Sequence, residues 1–236
     1  RKGSGQAGGL SYPAGQAVVP ETEALRIGSV TIAIQTELPN PHTAPRHWLC
    51  WGFMQIPNWP LYSERELELL REVLASQQWG GSHEFIGRLE RSFAAFQHCA
   101  HGVSVANGTV ALETVLEGAG IGAGDEVIVP AISFISTATA VSRVGATPVF
   151  VDIEPCTFNM DPERAAAAIT PQTKAILIVH FGGQLADLDR FTVLAADHNL
   201  ILIEDAAHAH GSQWRGRCAG SIGLAGTFSF QNSKVM

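Results

Sequence analysis

Residues 175–205, AILIVHFGGQLADLDRFTVLAADHNLILIED, decide the fold. Ala175 to His180 is an apolar run of strand length. Asp187 to His198 reads as a helix. Leu200 to Ile203 is a second apolar run, leading straight into Glu204 and Asp205. A strand, a helix and a strand of these lengths form the repeating unit of a mainly parallel sheet with helices on both faces. Glu204 and Asp205 then lie at the C-terminal end of a buried strand, where open α/β sheets bind their ligands.

The same alternation continues upstream. His101 to Ala106 is expected as a strand, Thr109 to Glu117 as a helix, Glu126 to Val129 as a strand and Phe134 to Arg143 as a helix. Pro148 to Asp152 is expected as a strand, and Asp161-Pro162 caps a further helix with proline in its first turn. Before this series, Ser63 and Glu66 form a capping box, followed by Leu67, Leu70 and Leu74 on one helical face. A second helix starts at His83, with Phe85, Leu89, Phe93 and Phe96 at helical spacing. Residues 1–53 are rich in Gly and Pro and poorly periodic, and only Ser29 to Gln35 alternates like a strand. The expected organisation is an irregular N-terminal extension over 1–53 and an α/β domain over 54–236. Downstream of the opening stretch, Thr227 to Phe230 reads as a short strand followed by Lys234. The chain starts at Arg1 and stops two residues past that lysine, so it reads as a piece of a longer one.

Composition narrows the function classes. With 46% hydrophobic and 16% charged residues the chain can bury a sizeable core. A net charge of −7 offers no basic face to nucleic acid. The four cysteines are widely spaced with no C-x-x-C pair, as expected in a reduced, cytoplasmic setting. The apolar runs fall far short of a membrane span, and RKGSGQAGG lacks the apolar core of a secretory signal.

An acid at one strand end and a lysine just beyond another suit pyridoxal phosphate. Asp205 would keep the pyridine nitrogen protonated, and Lys234 would hold the aldehyde as a Schiff base. The pair also has a plainer reading, a strand-end cap and a solvated lysine. Asn107-Gly108-Thr109 stands where a strand turns into a helix, so its N–H groups can receive a phosphate or simply form an N-cap. Phe134 can lie on a cofactor ring or fill the core. Ser229 can donate to the phosphate or point out of an edge strand, and His208 can contact the ring or its phenolic oxygen. Gly118, Gly120, Gly122 and Gly124 imitate a dinucleotide-binding loop, but they end a helix and lead into a strand, the reverse of that motif. His98-Cys99-Ala100-His101 and His208-Ala209-His210 lack zinc spacing, so no metal is expected.

VANGTVALE, GDEVIVPAISFISTATAV, PVFVDIEP, EDAAHAHG and FSFQNSKVM resemble, in this order, segments of the DegT/StrS-type sugar aminotransferases, which belong to the fold-type I (aspartate-aminotransferase) class of pyridoxal-phosphate enzymes. The likeness runs from about Gln55 to Met236. The spacings fit as well: Phe134 follows Thr109 by 25 residues, Asp205 follows Phe134 by 71, and Lys234 follows Asp205 by 29. The resemblance implies Lys234 as the Schiff-base lysine, Asp205 as the partner of the ring nitrogen and Phe134 as the stacking residue. It places His208 near the ring, and Gly108, Thr109 and Ser229 at the phosphate. It further implies a glutamate or glutamine donor, a keto-sugar or cyclitol acceptor and a homodimer when full length. FSFQNSKVM and DAAHAHG look most like the branch containing 3-amino-5-hydroxybenzoate synthase and the aminocyclitol aminotransferases. The family continues past the lysine with further strands and a small domain, so a fragment that binds cofactor without turnover is the alternative. Lys234 speaks against a pyridoxamine-phosphate-dependent dehydratase, whose relatives carry His there.

Overall fold

The structure, a computed structural model, describes residues 26–27, 30–31, 63–79, 81 and 83–234. The chain divides into two compact units, Arg1–Asn58 and Trp59–Met236. In the first, β1 (Arg26–Ile27) pairs antiparallel with β2 (Val30–Thr31). The rest of the strand expected over Ser29 to Gln35 lies outside the described residues.

In the second unit, helices α1 (Glu64–Ser76) and α2 (Glu84–Phe96) come first, then α3 (Gly108–Gly118), β3 (Glu126–Pro130) and α4 (Ser136–Arg143). β4 (Thr147–Val151), α5 (Pro162–Ala167), β5 (Thr173–Val179), α6 (Leu188–Asp197), β6 (Ile201–Asp205) and β9 (Ala225–Thr227) follow, with the small hairpin β7 (Gln213–Trp214) and β8 (Arg217–Cys218) between the last two. The main sheet has the order β4-β3-β5-β6-β9, and every pairing in it is parallel.

Strand β5 shows why both faces are covered. Its side chains alternate between the two sides, as the pleat requires. Ala175, Leu177 and Val179 pack with Leu112 and Leu116 of α3 and Ala140 and Val141 of α4. Ile176 and Ile178 pack on the other side with Ala165 of α5 and Leu188, Phe191 and Ala195 of α6. A side chain of this size contributes roughly 1.5–3 kcal/mol when fully buried, so β5 is the spine of the unit. The chain leaves β3 toward β4 on one side and returns to β5 on the other. Open α/β sheets with such a reversal bind their ligands beyond the C-terminal strand ends.

The capping box forms as expected: Ser63 Oγ accepts from Arg65 N–H, and Glu66 accepts from Ser63 N–H. Leu67, Leu70 and Leu74 share a face but remain exposed. Two strand expectations need correction. His101 to Ala106 is not a strand: no ladder partner flanks it among the described residues, and it is tied instead to α2. There Glu90 accepts from Ser104 N–H at 2.9 Å and from its hydroxyl at 2.8 Å. The strand expected at Thr227 to Phe230 is shifted, because the ladder with β6 runs over Ala225–Thr227. Phe228 instead turns its ring onto Phe93, with centroids 4.9 Å apart.

Candidate active site

Strand β6 ends in two carboxylates that alternate across the sheet and meet different surroundings. Glu204 is fully buried. Its Oε2 accepts from Gly220 N–H at 2.8 Å, and its Oε1 from Ile222 N–H at 2.7 Å and Gly223 N–H at 2.6 Å. His180, also fully buried, lies 3.0 Å from Oε2 through Nε2. Its Nδ1 accepts from Ala186 N–H at 3.2 Å, so the neutral ring carries its proton at Nε2 and donates it to Glu204. Burial alone would raise Glu204, but His180 and the backbone donors outweigh it and hold the carboxyl below its ordinary value.

Asp205 faces the α4 side of the sheet. Thr137 of α4 donates its hydroxyl to Oδ2 at 2.8 Å, and Ala207 N–H donates to Oδ1 at 3.2 Å. Ser133 lies 2.6 Å from the Thr137 hydroxyl. Burial pushes Asp205 above its ordinary value, and Thr137, Ala207, His208 and His180 only partly oppose it. The result is a buried acid that gains from any cationic or N–H partner brought beside it.

His208, three residues on, is half-buried. Its Nδ1 accepts from Gly182 N–H at 3.3 Å, and its Nε2 is 2.9 Å from Lys234 Nζ. Burial pushes the imidazole below its ordinary value, and positive charge on Lys234 acts in the same direction. Lys234 is held by the turn that follows β9. Ser229 Oγ accepts from Gln231 N–H at 3.4 Å, and Gln231 O accepts from Lys234 N–H at 2.9 Å.

The same turn brings Ser229 to the start of α3. A Cβ added at Gly108 would stand 3.2 Å from Ser229 Cβ and 3.5 Å from Phe228 O. Asn107 caps the helix by accepting from Val110 N–H at 3.0 Å. That leaves the first N–H groups, of Gly108 and Thr109, without intrahelical acceptors. Thr109 lies half-buried in this first turn. Phe134 does not enter the core; it is 67% exposed, just before the turn that carries Thr137.

Three groupings therefore converge on the C-terminal strand ends: Asp205 with Thr137 and Ser133, Lys234 with His208, and Gly108 with Ser229. No hydrogen bond or ring contact joins Phe134 to the other six expected residues. The sequence reading did not single out Thr137 or His180. Thr137 had a faint signal, a hydroxyl one helical turn after Ser133. His180 had none beyond its place at a strand end. Among the described residues no three or more His, Cys, Asp and Glu side chains gather as a metal site, and no helix is long and apolar enough to cross a membrane.

Residues 60–236 match the model of the DegT/DnrJ/EryC1/StrS aminotransferase family. The 3-amino-5-hydroxybenzoate synthase of Amycolatopsis mediterranei is 45% identical over 183 residues, covering 77% of this chain and 47% of that protein. The L-glutamine:scyllo-inosose aminotransferase of Streptomyces griseus is 44% identical over 202 residues, covering 83% and 46%. A crystal structure of 3-amino-5-hydroxybenzoic acid synthase superposes with a TM-score of 0.74 at 46% identity, over 76% of this chain and 47% of that one. The PMP-form of Spr1654 from Streptococcus pneumoniae superposes with a TM-score of 0.72 at 32% identity, over 76% and 49%. The chain spans about half the length of the curated relatives it matches. Its strand order, its acid and lysine at the strand ends and the family match together lead to one conclusion: the chain belongs to the DegT/DnrJ/EryC1/StrS aminotransferase family.

Proposed function

We propose that residues 54–236 are the cofactor-binding part of a pyridoxal-phosphate-dependent aminotransferase. It moves an amino group from glutamate or glutamine to a keto-sugar, cyclitol or related ketone. The names of the relatives support this class, with L-glutamine donors and inosose acceptors among them. The observation that carries it is the disposition of Asp205 and Lys234: a buried acid hydrogen-bonded by the neutral donors Thr137 and Ala207, and an amine at the same end of the sheet.

The donor set fits the cofactor. Asp205 offers a carboxylate to a ring nitrogen, and Lys234 offers an amine to an aldehyde. Gly108, Thr109 and Ser229 offer N–H and hydroxyl groups to a phosphate, where a side chain at Gly108 would crowd Ser229. Phe134 presents an exposed ring for stacking, and His208 a neutral imidazole. When bound, pyridoxal phosphate supplies an aldehyde and a ring that withdraws electrons.

The residues then have distinct tasks. Asp205 holds a proton on the ring nitrogen by staying anionic beside it. His208 accepts at Nδ1 from Gly182, so its neutral ring carries the proton at Nε2 and directs it at Lys234 Nζ. Attack on an aldehyde requires that nitrogen as the free amine, the nucleophilic form. Lys234 Nζ would also be the base that takes a proton from the donor Cα and, as acid, delivers it to the former aldehyde carbon of the cofactor.

The homodimer and the cytoplasmic setting belong to the same proposal. The apolar face of α1, exposed at Leu67, Leu70 and Leu74, supports the first. Free thiols at Cys99, Cys156 and Cys218 accord with the second.

The test uses the scarcity of lysine. The chain has three, Lys2, Lys174 and Lys234, and Lys174 lies near the N-terminal end of β5, away from the strand ends that carry the site. Borohydride reduction with pyridoxal phosphate should add one cofactor to the peptide holding Lys234, and Lys234→Ala should abolish it. Label on Lys174 or Lys2 instead would remove the assignment.

A further inference from the structure

We propose that Thr137 is a positioning residue that keeps Asp205 anionic, with Ser133 as the second member of a directed chain of hydroxyls. This rests on the reading of Asp205 as the partner of the ring nitrogen. The direction follows from proton count. The Thr137 hydroxyl has one hydrogen, donated to Asp205 Oδ2 at 2.8 Å. Toward Ser133, 2.6 Å away, it can therefore only accept, so Ser133 is the donor. Thr137 is 1% exposed, so no bulk water replaces this donor.

The arrangement has a sign. A buried carboxyl is driven toward its neutral form, and a neutral Asp205 could not stabilise positive charge on a ring nitrogen. Each hydrogen bond donated to the carboxylate opposes that drive. Ser133, by donating to Thr137, polarises its hydroxyl and strengthens the bond to Asp205. Among the described residues, the ionisable groups that bear on Asp205 are Glu204 beside it on β6, His208 in the following loop, His180 at the end of β5, and Lys234 behind His208. Glu204 is occupied by four other donors. From α4 the approach is made by Thr137 alone, so this hydroxyl can be exchanged without altering a charge.

The experiment follows Asp205 in the cofactor-free 236-residue chain by carbon-13 carboxyl NMR, with the signal assigned by its loss in Asp205→Asn. Thr137→Val, which keeps the shape and removes the donor, should raise the titration midpoint by about one unit or more. Thr137→Ser should restore the wild-type midpoint, and Ser133→Ala should raise it by a smaller step. The dissociation constant for pyridoxal phosphate, measured below the Asp205 midpoint, should weaken by up to about tenfold per unit of midpoint shift in Thr137→Val and recover in Thr137→Ser. An unmoved midpoint in Thr137→Val, or a serine variant that titrates like the valine, overturns the proposal. If Thr137→Val does not fold, an unmoved midpoint in Ser133→Ala overturns it instead. These titrations need no bound cofactor, so they stand or fall separately from the labelling of Lys234.

Discussion

At the residue scale, the neighbours Glu204 and Asp205 are pulled in opposite directions by the same burial. Four donors hold Glu204 below its ordinary value, whereas Asp205, with two, stays above. The two shifts give stability opposite slopes against pH. Asp205 has a raised folded value, so it contributes most at the acid end, and that contribution is lost as pH rises from its ordinary 3.8 through the folded value. Glu204 has a lowered folded value, so its contribution is present above its ordinary 4.5 and is lost as pH falls through the folded value. Urea midpoints of the cofactor-free chain should therefore lose their fall on the alkaline side of 3.8 in Asp205→Asn. They should lose part of their acid-side fall in Glu204→Gln. A wild-type slope in Asp205→Asn would contradict the burial argument. Asp205, His208 and Lys234 stand out in the sequence because their residue types announce chemistry, and the structure puts them at one end of the sheet. Thr137 was not, since a threonine on a helix has many uses and only the crossing from α4 to β6 reveals this one.

At the element scale, the turn from β8 to β9 is the part most tightly specified by backbone. Glu204 gathers the N–H groups of Gly220, Ile222 and Gly223, which fixes where β9 begins and so where Ser229 and Lys234 arrive. The turn and the strand it enters have no room for side chains at Gly220, Gly223 and Gly226. A Cβ at Gly226 would stand 2.2 Å from Gly220 Cα, and one at Gly223 would stand 2.5 Å from Leu202 O. Gly226→Ala should cost about 3 kcal/mol or more, or prevent folding, because backbone rather than a movable side chain must yield. Gly118 is the contrast. It closes α3 with nothing within 4 Å of an added Cβ, so Gly118→Ala should gain about 0.5–1 kcal/mol. Chemical denaturation of both variants checks the pair, and equal effects would refute the packing account. The sequence showed that Gly118 to Gly124 end a helix rather than cradle a dinucleotide, and the structure has α3 stop at Gly118 with Gly120 and Gly124 at positive φ. It misled at His101 to Ala106, because the alternation of Val103 and Val105 suggests a strand face, yet both side chains are exposed and no strand pairs with the segment among the described residues.

At the scale of the whole unit, the site is built from the ends of elements that are far apart in sequence. The first turn of α3, the Ser133 loop before α4, the residues after β5 and β6, and the turn after β9 meet over the C-terminal ends of β5, β6 and β9. The alternation of strands and helices made that architecture readable, because a strand buried on both faces needs the continuous apolar run seen in β5. Strand order was not readable, since parallel neighbours need not be consecutive. A ligand gripping these ends at once would close the unit like a clasp, and only the folded chain presents them together. Pyridoxal phosphate at about 100 times its dissociation constant should thus add about 2.7 kcal/mol. For a unit of this size that is a rise of roughly 5–10 °C in Tm. Every group assigned to the grip lies between Gly108 and Lys234, so the rise should be seen in the 236-residue chain alone and should shrink in Asp205→Asn and in Lys234→Ala. Scanning calorimetry with and without cofactor measures it. A Tm unmoved by saturating cofactor would mean that these ends do not act as one site.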